Sequence, residues 1–575
     1  MTGVQTCALP IYGARRSLNL ALAEALETSG RADARDLALH FHAGGDFPRA
    51  YGYALRAAED ESRGLAFDRA ADFFSIALEC GRGGLADASR ETAVRVRLAE
   101  TLVSAGRSAE AAPHYLRAAE GSVGARATDL RRLAAEQLLV SGRYDEGVAV
   151  LAPVLEAVGL GFPTSPRRAL LAMIARVAEL EIKGTTFVER DEARVPPKDL
   201  ARVDVAWSAG RGLLATDSLR GGYFFVRALE LALRAREPKR VARSLAMYGM
   251  MNVYGGDARG EKKGTLLLER AATLAERLGD PAVEGTVSIC RGTAKMSVGA
   301  WREGLALMEG GIRTLEAGAV DVSWECATGR SSCHNALLWL GEIAQIGLRA
   351  PGWSRSGERV GDLFSHVTAE LYCAIVEVFS DDPFSSRARV RRAIARWSES
   401  GFHFQHWLAL KVEVFCDLYE GDTEAAFERV ARAFRALEPS GLLRIQLMRT
   451  DAHLLRGTVA IAASRRDPRR LDGAVRDAAL LAAEGRPVAV GAATLLRAGV
   501  ASARGSTAAA QASYARAARE LGHADVRLHA ACATLACDVV SPADGARASR
   551  AVALLEDEGI VRPERFVRVL APVAR

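Results

Sequence analysis

The chain has 575 residues and sets 76 Lys and Arg against 70 Asp and Glu, a formal charge of +6, with 25% charged and 6% aromatic side chains. The two signs are interspersed and only seven of the basic residues are lysine, so no phosphate-binding stripe forms and nucleic acid is not an expected partner. No run of 18 apolar residues and no basic-then-apolar leader occurs, which argues against membrane spanning or export. The nine cysteines lack a C-x-x-C spacing and fit small core residues in a reducing cytoplasm.

Residues 1–11, MTGVQTCALPI, resemble the translation of a sequencing-library adaptor rather than the protein that follows. They are set aside with Cys7, and the native chain is expected to extend further at its N-terminus. Residues 12–44 predict two amphipathic helices with a turn at Gly30, where Leu18, Leu22 and Leu26 share one face. Two more helices follow in GDFPRAYGYALRAAEDESRGLAFDRAADFFSIALECGR.

A repeated register then begins. Gly106 is followed at two, five, nine and twelve residues by Ser108, Ala111, Tyr115 and Ala118, and Gly142 by Tyr144, Gly147, Leu151 and Val154. Before each glycine, at minus eight, seven and four, stand Leu98, Ala99 and Leu102, then Ala134, Ala135 and Leu138. Small residues let two antiparallel helices approach, bulky ones fill the gap to the next hairpin, and the glycine closes the first helix in a left-handed turn. The spacing resembles the tetratricopeptide repeat. The expected fold class is therefore all-α, a right-handed superhelical solenoid of about fourteen or fifteen antiparallel helix pairs, each burying its apolar face only against its neighbours.

After Gly159 the text GLGFPTSP interrupts the array, and helix resumes over Arg167 to Lys183. Pro196 and Pro197 mark the approach to the next helix. The register returns at Gly299, Gly421 and Gly505, and residues 349–358, RAPGWSRSGE, read as a loop. The organisation expected is junction helices over 12–44, N-terminal repeats over 45–160, middle repeats over 161–348 and C-terminal repeats over 349–575.

A wider resemblance rests on particular text. LHFHAGGD, RAYGYALRAAE and AFDRAADFFSIALE resemble the junction at which large bacterial signalling ATPases pass into tetratricopeptide repeats. ERDEARVPPKDLARVDVAWS, REPKRVARSLAMYG and the tail LEDEGIVRPERFVRVLAPVAR are similar to the C-terminal region of myxobacterial-type serine/threonine kinase-ATPase proteins. The resemblance implies a helical sensor region whose upstream kinase and ATPase domains lie outside this sequence.

Candidate chemistry is sparse. GGDARGEKKGT at Gly255 to Thr265 spaces its glycines like a phosphate loop, but Glu261 takes the lysine position and no strand precedes it, so a turn is expected. His403 and His406 share a helix face but lack further metal ligands nearby, and His40 and His42 point to different sides. Cys532 and Cys537 read as core, and Asp381 and Asp382 before Pro383 as a helix start. The cluster Arg387, Arg389, Arg391, Arg392 and Arg396 spreads around more than one helix face and reads as solvated surface.

No kinase core, nucleophile elbow or zinc-protease helix occurs, so no catalytic residue, cofactor or metal is expected. Binding is the expected task, with a protein or peptide partner that includes the chain's own missing kinase and ATPase domains. Six aromatic or histidine residues are candidate anchors: Trp207, Tyr223, Phe225, His403, His406 and Trp407. The competing reading of these residues is interhelical core. A ligand-sensing arm of an ATPase-type transcription regulator and a stand-alone scaffold are the alternatives in function.

Overall fold

The computed structural model describes residues 5–82, 85, 87–214, 217–319, 322–399, 401–541 and 545–572, with side chains from Gly13 onward. Of the adaptor-like text, residues 1–4 and every side chain, that of Cys7 included, fall outside what is described. Every regular element among the described residues is helical. Contacts divide the chain into two units, residues 1–159 with 360–362, and residues 160–359 with 363–575.

The first unit holds α1 (Gln5–Ser29), α2 (Ala34–Gly44), α3 (Phe47–Arg63), α4 (Phe67–Gly81), α5 (Ala88–Ser104), α6 (Ser108–Glu120), α7 (Gly124–Val140) and α8 (Tyr144–Ala157). The second begins with α9 (Pro166–Lys183), α10 (Pro197–Leu214), α11 (Ser218–Ala235), α12 (Pro238–Tyr254), α13 (Ala258–Leu278), α14 (Pro281–Ser297), α15 (Trp301–Gly318), α16 (Ser323–Leu340), α17 (Ile343–Val360), α18 (Leu363–Phe379) and α19 (Pro383–Ile394). It continues with α20 (Phe404–Glu420), α21 (Thr423–Leu437), α22 (Gln446–Ala462), α23 (Arg470–Ala483), α24 (Pro487–Ala503), α25 (Thr507–His523), α26 (Arg527–Val540), α27 (Gly545–Asp557) and α28 (Pro563–Leu570). Most consecutive helices pack against one another in each unit, giving an all-α, tetratricopeptide-like array of antiparallel pairs, with α9 packed on α11.

Local sequence explains the boundaries. Asp33, Asp46, Asp87, Asp257 and Asp422 each cap a helix by accepting a hydrogen bond from a backbone N–H in its first turn. The five glycines that carry the register, Gly106, Gly142, Gly299, Gly421 and Gly505, all have positive φ, between 75° and 90°. The residues nine positions after them, Tyr115, Leu151, Met308, Val430 and Tyr514, are all buried.

Three further copies escaped the sequence pattern. Leu65 (φ 57°) and Asp381 (φ 66°) occupy the left-handed position where the pattern asks for glycine. Ala70, Phe74 and Ala77 follow the first at the expected offsets, and Ser386, Val390 and Ala393 the second, all of them buried. The third begins at Gly341 (φ 81°) and corrects the loop expected at 349–358, because those residues lie inside α17. Ile346, Ala350 and Trp353 fall at offsets five, nine and twelve and are buried, and that burial overrides the turn signal of Pro351 and Gly352.

The pairing of α14 and α15 is close along its whole length. A Cβ built on Gly292 would stand 2.6 Å from the carbonyl oxygen of Gly304, and one on Gly311 would stand 2.7 Å from that of Gly285. These four glycines form a seam along which the two backbones touch.

In the second unit the chain also returns to its own earlier turns. The Trp301 indole N–H donates to the Ala524 carbonyl at 2.9 Å, and Arg449 and Arg486 donate to the carbonyls of Gly255 (3.1 Å) and Gly256 (3.0 Å). The Val561 N–H donates to the Phe379 carbonyl at 3.2 Å, and Asp381 meets Arg562 and Arg565. One apolar cluster runs from Ile289 to Ala571. Burial against immediate neighbours alone therefore does not describe this unit, because the turns near 218, 255, 301 and 381 find partners in the last 135 residues or so.

The seam makes a sharp prediction on one helix. Gly311→Ala should destabilise the second unit by about 1–3 kcal/mol through overpacking. Gly310→Ala, whose Cβ would meet only the end of the Arg313 side chain at 3.9 Å, should be neutral or stabilise by up to about 1 kcal/mol. Denaturant melts of the two variants measure the difference, and the same sign for both would refute the seam.

Candidate interaction site

The six anchor residues fall into two groups. Trp207 on α10 and Phe225 on α11 are buried and meet edge to face at 5.2 Å, and Phe225 continues to Trp324 on α16 at 6.3 Å. A Cβ on Gly210 would stand 2.7 Å from the Phe225 ring, so that position admits the ring only because it has no side chain. Arg243 lies 4.7 Å over the Trp207 ring while donating to Asp204 at 2.6 Å; burial, opposed by Asp204, lowers the pKa of its guanidinium. Tyr223 is half-buried and edge-on to Phe224 at 5.0 Å. Arg211 and Glu325, both buried, pair at 3.1 Å between α10 and α16.

The second group lies at the start of α20. The Trp397 indole donates to His403 Nδ1 at 2.9 Å, and the His403 backbone N–H donates to His406 Nδ1 at 3.0 Å, which closes the helix N-terminus as a capping box. Burial first, and then the neighbouring His403, push the His406 pKa down to about 4, so its Nδ1 stays free to accept. Trp407, also buried, donates to Asp451 on α22 at 2.9 Å. Lys411 reaches both oxygens of that carboxylate, at 2.8 and 2.9 Å, and its ammonium lies 5.6 Å from the Trp339 ring. Four of the six residues are thus turned inward, where they join neighbouring helices.

The remaining sequence candidates take structural positions. Asp382 caps α19 through the Ser385 N–H, and Asp257 caps α13 so that Glu261 lies in its first turn. His40 contacts Asn19, and His42 faces Glu79 at 3.4 Å. Cys532 is buried among apolar residues, and burial raises its thiol pKa. Arg387 pairs with Asp417 and Glu420, and Arg389 with Glu370 and Glu377, so these two arginines tie α18, α19 and α20 together. No group of three or more His, Cys, Asp or Glu side chains among the described residues is placed to hold a metal. No helix among them is long and apolar enough to cross a membrane.

Two features were not found by sequence reasoning. One is a cavity of about 440 Å³ in the second unit, bordered by α9, α11, α12, α14 and α16 and by residues 441–448. Its signal in the sequence was the spacing of Thr328, Ser331, Ser332 and Asn335, small polar residues that share one face of a helix. The other is α9, on which Leu171 (67% exposed), Ile174 (55%) and Ile182 (86%) stand on one side of the helix in contact with water. At 3.6 residues per turn these positions span less than a quarter of the circumference.

No family model matches the chain, and no curated protein matches it. Among solved structures it is similar to the crystal structure of the APC/C hetero-tetramer Cut9-Hcn1, with a TM-score of 0.35 and 11% identity over 88% of this chain and 96% of that one. It is also similar to yeast Tom70, with a TM-score of 0.21 and 12% identity over 90% and 94%. Likenesses at this level carry no functional argument.

Two predictions follow from the second group. Asp451→Ala leaves the Lys411 ammonium buried without its counter-charge and should cost about 3–5 kcal/mol, whereas the double variant Lys411→Met, Asp451→Leu should recover most of that in denaturant melts. No recovery would show that the pair is not the source of the loss. For His406, the unfolded chain takes up a proton near the ordinary 6.5 and the folded chain only near 4, so stability should fall as the pH drops through that window. His406→Gln preserves the cap and should give a shallower decline of melting temperature with acid; an unchanged slope would exclude His406 as a contributor.

Proposed function

We propose that this chain is a non-catalytic sensor and protein-interaction region, and that its partner is the kinase and ATPase part of a bacterial serine/threonine kinase-ATPase regulator. The observation that carries the interaction role is the apolar stripe on α9. Leu171, Ile174 and Ile182 are large apolar side chains held in water on one side of a regular helix, the arrangement that an opposing helix or groove covers on association. The parentage rests on the text that resembles the C-terminal region of such regulators, from LHFHAGGD to the final LEDEGIVRPERFVRVLAPVAR.

The inward-turned aromatics support the same division of labour. Trp207, Phe225 and Trp407 hold the scaffold, and recognition falls to side chains that the scaffold leaves outside. In this reading, association on α9 is transmitted as a shift in the packing of α9 on α11.

The reading is tested in two steps. The gene upstream of Tyr12 should continue in frame into a kinase core and a phosphate-binding loop; a stop codon there overturns the parentage. The upstream domains, purified separately, should bind the chain, and Leu171→Asp with Ile174→Asp should weaken that binding about tenfold or more at unchanged melting temperature. Equal affinity in the variant overturns α9 as the docking element. Micromolar binding of ATP by the chain itself would overturn the non-catalytic assignment.

A further inference from the structure

Five of the eight methionines of the sequence, Met173, Met250, Met251, Met296 and Met448, line the 440 Å³ cavity of the second unit. They come from α9, α12, α14 and α22, elements far apart in the chain that the fold brings around one space. Thioether side chains are flexible and polarisable, and they give an apolar wall that adapts to the shape of what it encloses. A volume of this size lies within the range of small-molecule pockets.

A second wall has the opposite character. Thr328, Ser331, Ser332 and Asn335 follow the i, i+3, i+4, i+7 spacing and present one polar face of α16 to the cavity. A surface helix turns such a face to water, but this one faces inward. The Thr328 hydroxyl donates to the Trp324 carbonyl of its own helix at 2.8 Å. Ser332 and Asn335 are half-buried at the cavity wall, where a bound polar head would take the place of water on the hydroxyl and the amide.

The charge of the lining narrows the ligand further. No Asp, Glu or Lys borders the cavity among the described residues, and Arg444, itself exposed, is the charged side chain at its edge. A cationic ligand would find no counter-charge there. The segment carrying Leu442 to Met448 is held over the space, because Ser218 Oγ donates to the Ser440 carbonyl at 3.3 Å and Arg449 to the Gly255 carbonyl at 3.1 Å.

We propose that this cavity binds a small amphipathic molecule, its apolar body against the methionines and an uncharged hydrogen-bonding head against Ser332 and Asn335. Amide and hydroxyl together offer both donors and acceptors, which suits a carbonyl or hydroxyl group on the ligand. The site is independent of the α9 stripe, so it stands or falls separately from the proposed protein partner.

Nile red, an uncharged dye with an apolar body and a carbonyl head, is the probe. Titration of the full chain should show one saturable site. Met251→Trp, which fills the space, and Asn335→Leu, which removes the head's partner, should each weaken binding about tenfold. Met251→Leu should leave it unchanged. Pyrene, which has no polar head, should lose affinity in Met251→Trp but not in Asn335→Leu. Thermal melts establish that each variant is folded, and Asn335→Leu carries the test should Met251→Trp not fold. Non-saturable binding at many sites, or Nile red affinity unchanged in every folded cavity variant, overturns the proposal.

Discussion

The second unit depends on how closely two helix backbones approach, and that distance is set by residues without side chains. Along α14 and α15 the carbonyls of Gly285 and Gly304 lie where a Cβ on the partner helix would have to be. Close approach of this kind gains dispersion contacts over the whole interface and leaves no tolerance for added volume. The same device recurs between α12 and α13, where a Cβ on Gly249 would stand 2.9 Å from the Gly264 carbonyl oxygen. Within the pair, Met308 and Leu315 of α15 fill the space over Gly292 and Gly285 of α14, so the seam is closed by bulky side chains as well as by backbone.

The second constraint acts across the chain. A helical-repeat array in which each hairpin touches only its neighbours has additive stability and opens locally. Here Trp301 meets Ala524, Gly256 sits against Gln446, and Phe379 meets both Val561 and Phe566. These contacts join residues about 180 to 220 positions apart, so parts of the second unit hold together beyond the nearest-neighbour stacking of a repeat array. They also place residues 441–448 beside the middle helices at the rim of the methionine-lined cavity.

Function follows from what this closure leaves available. Large aromatic residues, which carry much of the energy in many interfaces, are consumed by the interior here: Trp207 and Phe225 lock α10 to α11, and Trp407 with Lys411 locks α20 to α22 through Asp451. What remains for recognition is different in kind. One helix, α9, carries apolar side chains into water and also contributes Met173 to the cavity.

The sequence by itself determined the hairpin unit. The left-handed glycines at 106, 142, 299, 421 and 505, the aspartate caps and the offsets of buried residues after each turn are all short-range, because each is a relation within one or two helical turns. Even the missed copies obeyed the register, and they were hidden by Leu65 and Asp381 in the left-handed position and by Pro351 within α17. Tertiary structure alone decided which aromatic side chains turn inward, since Trp207 and Leu171 are both apolar residues on helices and differ only in whether another helix arrives over them. It alone decided, too, that the polar face of α16 looks into the protein and that turns near 255, 300 and 380 meet the C-terminal helices. Those outcomes depend on small rotations between successive hairpins, which accumulate over many pairs and leave no mark in the spacing of residues along any one of them.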